Sequence, residues 1–239
     1  MNRALATVAG LAAVVLLAAG GCGDRGVESA PEIAAPAQTE YLPPAGKGRI
    51  VIVLSGRSGP RSFRPIAAEL AALGYYTVLL DGNDVPGWDE DGGTQLKATI
   101  LRAQQSASAL PGKAAVVGFS LGGGGALTHA TRLPDLVAAV VAWYPTTYYI
   151  ASEKTYVAQI KVPTLILAGG KDRYGNCCMI DTMRALETAA RELGKPLDLV
   201  VYPEADHGFN LRVLSTYRPD DAADGLRRTA TMLRQYLGE

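Results

Sequence analysis

The sequence predicts an α/β fold: a mainly parallel sheet with helices on both faces. Two observations carry this reading. Short, continuous apolar runs of strand length recur along the chain, and amphipathic segments of helix length separate them. A third bounds the class. The 239 residues carry 23 Lys+Arg against 23 Asp+Glu and are 48% hydrophobic, enough apolar material for a sizeable core. That balance argues against a nucleic-acid binder, which needs a basic surplus, and against a disordered chain. A collagen-like chain is excluded because glycine is not periodic.

The elements follow in order. Residues 4–21 form an uncharged Ala/Val/Leu run after Arg3, ending in Ala19-Gly20-Gly21-Cys22, which reads as a secretory signal over 1–21. Small residues directly before Cys22 resemble a bacterial lipobox, in which the cysteine is acylated. This implies export and a lipid anchor on a membrane of the cell envelope. An uncleaved membrane helix and ordinary cleavage to a soluble protein are the other two readings. Residues 22–46 are rich in Pro, Ala, Gly and Glu without hydrophobic period and read as a tether, so the folded body is expected from Lys47.

Within that body, Ile50–Leu54, Tyr76–Leu80, Ala114–Gly118, Val137–Trp143, Thr164–Ala168 and Leu197–Tyr202 are the expected strands. Helices are expected over Phe63–Leu73, Thr94–Leu110, Leu121–Leu133, Met179–Leu193 and Asp221–Leu237. In such a sheet, reactive side chains sit in loops at the C-terminal ends of strands.

Chemistry concentrates at four such ends. The run Gly118-Phe119-Ser120-Leu121-Gly122 joins a strand to a helix, the context a G-x-S-x-G nucleophile turn requires. Ser120 is the candidate nucleophile, and Leu121 N–H, at the positive end of the helix, is the natural donor to an oxyanion. A serine hydroxyl needs a base, and the chain has two histidines. His129, nine residues along the helix from Ser120, is displaced about 13 Å and cannot reach it. His207, in the loop after the last strand, is the base. Asp172 follows Thr164–Ala168 and is the candidate partner of the imidazole, with Asp206 second because side chains of adjacent residues seldom converge. The loop after the first strand supplies the second oxyanion donor, Arg57 first and Gly56 next.

From about Gly48 onward the chain resembles the dienelactone hydrolase family of α/β-hydrolases, in strand order and in the Ser120, Asp172 and His207 segments. The stretch Leu199-Val-Val-Tyr-Pro-Glu-Ala-Asp-His-Gly-Phe209 carries the likeness most clearly. The chain departs from that family in having Ser120 where its enzymes use cysteine, and Gly56 where they carry glutamate. The resemblance therefore implies a serine esterase rather than an enzyme for dienelactone. Ser120-Leu-Gly-Gly-Gly-Gly-Ala-Leu127 also looks like the nucleophile helix of bacterial cutinases, which points toward polymeric or lipid esters. Peptidase, thioesterase and acyltransferase activities use the same triad, and a non-catalytic surface-tethered binding module is the reading from another class.

Trp88, Trp143, Tyr144, Tyr148, Tyr149 and Tyr174 fall near strand ends; Trp88, Tyr144 and Tyr148 are the expected pocket walls, with gap-filling under loops as the alternative. The acidic loop from Asp81 to Gly93 lacks calcium-loop spacing and is expected as a solvated rim. Cys177 and Cys178 are either a vicinal disulfide or small packed hydrophobes. No cofactor or metal is expected.

Overall fold

A computed structural model describes residues 35–238. The signal segment 1–21, Cys22 and the first part of the tether lie outside the described residues. Seven strands make one sheet: β1 (Gln38–Tyr41), β2 (Ile50–Leu54), β3 (Tyr76–Leu80), β4 (Ala114–Phe119), β5 (Val137–Trp143), β6 (Thr164–Gly169) and β7 (Leu197–Tyr202). Their spatial order is β1-β3-β2-β4-β5-β6-β7, parallel throughout except for β1 at one edge. Six α-helices cover it: α1 (Arg64–Ala72), α2 (Glu90–Gln104), α3 (Leu121–His129), α4 (Glu153–Val157), α5 (Ile180–Glu192) and α6 (Pro219–Leu237).

Side chains alternate across a strand, and the core divides accordingly. Val51, Val53, Val117, Phe119, Val141 and Trp143 pack against α1 and α6 through Leu70, Leu233 and Leu237. Ile50, Ile52, Leu54, Val116 and Val140 face the other way, onto Leu96 and Ile100 of α2 and Ala126 of α3. Ile166 and Ala168 continue that second layer onto Met183 and Leu186 of α5. Strands sealed on both faces have no use for polar positions, which is why they read as unbroken apolar runs.

Regular structure is present before Lys47. Gln38–Tyr41, inside the expected tether, pairs antiparallel with Leu80–Thr77. This strand is polar and half-exposed, so main-chain hydrogen bonds hold it and no hydrophobic pattern announces it. The acidic loop is also shorter than expected. Asp89 caps α2 by accepting the Asp91 N–H at 3.0 Å, and Glu90 and Asp91 occupy its first turn, where the helix dipole favours negative charge. No helix among the described residues is long and apolar enough to cross a membrane.

The chain runs from β2 to β3 on one side and returns to place β4 on the other side of β2. The C-terminal ends of β2 and β4 thus flank the crevice where the winding reverses, the position at which open α/β sheets bind ligands.

Candidate active site

Ser120 stands between β4 and α3 with φ 51° and ψ −113°, a backbone conformation strained for a residue with a Cβ. Its surroundings over-determine that conformation. Its N–H donates to the Trp143 carbonyl at 2.9 Å, while its own carbonyl accepts from Gly124 N–H at 3.0 Å and Thr146 N–H at 2.9 Å. The flanking glycines are required by space. A Cβ at Gly118 would lie 2.3 Å from Gly122 O, and one at Gly122 would lie 2.4 Å from Ser55 O. The next three glycines of α3 continue the theme, with the nearest atom to each added Cβ being Pro145 Cα at 3.1 Å, Thr146 O at 2.5 Å and Val85 O at 1.9 Å. Main chain therefore surrounds the first turn of this helix.

His207 Nε2 lies 2.9 Å from Ser120 Oγ, and His207 Nδ1 lies 2.8 Å from Asp172 Oδ2. A carboxylate only accepts, so Asp172 holds the ring proton on Nδ1 and leaves the Nε2 lone pair facing the serine hydroxyl. Asp172 is buried, and its other oxygen accepts the Tyr174 N–H at 3.1 Å. Asp206 is occupied elsewhere, accepting the main-chain N–H of His207 at 2.7 Å. Main-chain contact between the loops after β6 and β7 sets the spacing: Gly170 N–H donates to Tyr202 O at 2.8 Å and Lys171 N–H to Ala205 O at 2.9 Å. Thr216 Oγ1 donates to the His207 carbonyl at 2.8 Å, which ties down the loop from the far side.

The loop after β2 reaches the serine. A Cβ built on Gly56 would sit 3.4 Å from Ser120 Cβ, so this loop passes beside the serine side chain. Asn83 Nδ2 donates to the Arg57 carbonyl at 3.2 Å and Gly59 N–H to Gly56 O at 3.0 Å, which fixes the turn from behind. On the opposite side, Gly122 N–H is taken by Ser55 O at 3.1 Å, while Leu121 N–H is the first donor of α3, with no residue four back inside the helix to accept it. Chemically, this places a hydroxyl beside a base for its proton.

A cavity of about 570 Å³ opens onto Ser120 and His207, lined also by Arg57, Phe63, Tyr144 and Tyr174. Tyr144 is where the sequence places it. Burial and the nearby Asp172 charge hold its phenol well above its usual range, so it stays a neutral donor to Asn210 Oδ1. Trp88 and Tyr148 do not line this cavity. They pack on each other and on Tyr149, with centroids 5.6 and 5.8 Å from Trp88, and Trp88 belongs to a separate depression beside Thr128, His129 and Arg132. The cause is the course of the Val85–Asp89 segment, which runs along the flank of α3: a Cβ at Gly87 would collide with Tyr149, and His129 Nε2 meets Pro86 O at 2.9 Å. His129 is thus a structural residue.

The walls that sequence reasoning missed come from the loop after His207. Leu211, Val213 and Leu214 line the cavity, and Val213 is 79% exposed and Leu214 42%. Their signal was an apolar cluster too short for a strand and placed directly before a helix. Of the two readings of Cys177 and Cys178, the disulfide is the one present.

Sheet order and helical layers define an α/β-hydrolase fold, and the serine turn after β4 is where that fold carries its nucleophile. The chain belongs to the dienelactone hydrolase family, whose sequence profile matches residues 84–237. It is 33% identical over 149 residues to a Methylorubrum extorquens protein described as "Putative carboxymethylenebutenolidase", covering 60% of this chain and 50% of that one. A Yersinia pestis protein of the same description is 35% identical over 133 residues, 52% of this chain and 47% of the relative. The chain spans about half the length of these curated relatives. Among solved structures it is similar to one described as a "Putative Dienelactone Hydrolase" from Klebsiella pneumoniae, with TM-score 0.72 and 25% identity over 83% of this chain and 92% of that one.

Proposed function

We propose that the protein is a serine hydrolase that cleaves carboxylic esters through an acyl-enzyme. The observation that carries this reading is the unbroken hydrogen-bonded series from Ser120 Oγ through His207 to buried Asp172, opening on a cavity. Ser120 Oγ attacks the ester carbonyl carbon while His207 Nε2 takes its proton. The oxyanion that forms is held by the N–H groups of Leu121 and Arg57. Collapse expels the alcohol, which leaves with the proton from His207. Water then repeats the sequence on the acyl-serine, releasing the acid and restoring the hydroxyl. Asp172 keeps the imidazole in the tautomer that can accept and stabilises it when charged. None of these steps calls on a cofactor.

The relatives are described as putative carboxymethylenebutenolidases, and family membership favours that activity as a second reading. Ser120 and Gly56, at positions where the family's enzymes carry Cys and Glu, favour the general esterase. Resemblance of the α3 segment to cutinases, together with the apolar Leu211, Val213 and Leu214 wall, extends the proposed substrate class to polymeric or lipid esters. The site of action is proposed to be the cell envelope, through lipidation of Cys22. Loss of detergent-phase partitioning in Cys22→Ala is the expected result, and unchanged partitioning would point to a membrane helix.

The test of the activity is hydrolysis of p-nitrophenyl esters of graded acyl length by the full-length protein beside Ser120→Ala, with covalent labelling by a fluorophosphonate. Activity and labelling that both vanish in the variant support the esterase. Equal rates in the two proteins remove Ser120 as nucleophile. Folded protein that neither turns over esters nor takes the label favours the binding module.

A further inference from the structure

The loop from β6 that delivers Asp172 goes on to carry the Cys177–Cys178 disulfide before α5 begins. Both sulfur atoms and a ring nitrogen of His207 lie within 4.8 Å of one another, the only such group of three or more among the described residues. The disulfide segment is also bonded to the site's frame. Thr147 N–H donates to the Cys177 carbonyl at 2.7 Å, Cys178 Sγ is 3.8 Å from Thr146 Oγ1, and Thr146 N–H is itself bonded to Ser120 O. Cys178 is buried whereas Cys177 is partly exposed, so a reductant from solvent meets the Cys177 sulfur first.

We propose that Cys177, Cys178 and His207 form a redox-dependent site for a soft divalent cation, which closes the hydrolase when the disulfide is reduced and the ion is bound. This rests on the reading of His207 as the base. An external dithiol attacks Cys177 Sγ, breaks the S–S bond and leaves oxidised as its own disulfide, while Cys177 and Cys178 take up one proton each. A cation such as zinc or cadmium then displaces those two protons and binds two thiolates and one neutral imidazole nitrogen, with its remaining positions open to water. Sulfur and imidazole donors in a tetrahedral shell suit such ions and exclude calcium and magnesium, which prefer oxygen.

The geometry is within reach. Metal–sulfur and metal–nitrogen bonds of about 2.3 and 2.0 Å place donors about 3.5–3.8 Å apart, so the two sulfurs, joined in the disulfide, must separate to about 3.8 Å once reduced, and the imidazole nitrogen, within 4.8 Å of them, must close by about 1 Å. With the S–S bond intact the sulfurs have no thiolate to offer, and His207 stays with Ser120 and Asp172. Either ring nitrogen given to the ion costs the imidazole one of those two partners.

The experiment uses full-length protein, oxidised or pretreated with dithiothreitol and desalted, titrated with cadmium(II). In the reduced protein a thiolate-to-cadmium absorption band in the ultraviolet should saturate at one ion per chain, ester turnover should fall at least tenfold in step with it, and a chelator should restore both. The oxidised protein should show neither effect. Cys177→Ala combined with Cys178→Ala keeps Cys22 and should lose both the band and the cadmium sensitivity, judged by the ratio of rates with and without the ion. His207→Ala should keep the band but bind at least tenfold more weakly. Equal inhibition of oxidised protein, absence of the band after reduction, or a band with undiminished turnover would each overturn the proposal. The band and its His207 dependence are read without any substrate, so an inactive wild type would sink only the esterase reading.

Discussion

Tyr174 lies face to face with the imidazole of His207, ring centroids 4.6 Å apart and planes 11° apart. Tyr144 meets the same imidazole edge-on at 4.8 Å, so the ring is clamped on two sides while its nitrogens are engaged by Asp172 and Ser120. An aromatic pair contributes about 0.5–1.5 kcal/mol beyond area, which corresponds to about two- to twelvefold in rate. Tyr174→Ala should lower kcat by that factor with KM little changed, and Tyr174→Phe should restore it. A change confined to KM would make Tyr174 a substrate contact and not a positioning residue.

Asp172 and Asp206 are both near His207 but hold different parts of it, one the ring and the other the main chain. Replacing the ring partner by Asn turns an acceptor into a donor or weak acceptor and favours the wrong tautomer, so Asp172→Asn should reduce kcat by roughly four orders of magnitude. Asp206→Asn keeps an oxygen that can accept the His207 main-chain N–H and removes only its charge, so it should stay within about tenfold of wild type. Steady-state kinetics on one soluble ester decides; comparable losses would reassign the acid.

Gly125 meets Val85 O so closely that any side chain must push main chain aside. Ala gains about 1 kcal/mol of helix propensity over Gly, but overpacking costs typically 1–3 kcal/mol and here has no flexible neighbour to absorb it. Gly125→Ala should therefore lower Tm by a few degrees in differential scanning calorimetry. A rise in Tm would show that the Val85 segment yields.

His129 is held neutral by burial, which pushes its pKa below the ordinary value despite the Pro86 carbonyl. The unfolded chain takes the proton more readily, so this residue's contribution is intact above about pH 6.5 and is lost as pH falls below it. Between about pH 7.5 and about pH 5.5, the urea midpoint of wild type should drop further than that of His129→Gln, whose amide can still donate to Pro86 O. Parallel drops would clear His129.

Four expected strands, Ile50–Leu54, Tyr76–Leu80, Val137–Trp143 and Leu197–Tyr202, have the bounds the sheet shows; in the first three burial on both faces writes a largely apolar run, while the edge strand β7, with Asp198 exposed, is marked by its β-branched and aromatic residues. Strand β1 was illegible for the opposite reason: its residues are polar and its information lies in main-chain pairing. Ser120, Asp172 and His207 were legible because parallel strands deliver their C-terminal ends to one rim, so sequence position translated into place. Trp88 and Tyr148 were not, since loop course depends on long-range contacts such as His129 with Pro86. The two cysteines were adjacent in sequence, but nothing in their spacing revealed His207 beside them.

The collar of main chain around α3 divides the site into a fixed half and an adjustable one. Each of Gly122, Gly123, Gly124 and Gly125 has a main-chain atom as the nearest neighbour of an added Cβ, so on that side a larger residue has to displace main chain. The cavity wall itself includes Leu211, Val213 and Leu214, side chains on the loop after β7. A lineage or an engineer altering which ester fits can work on that loop without disturbing the seat of the nucleophile.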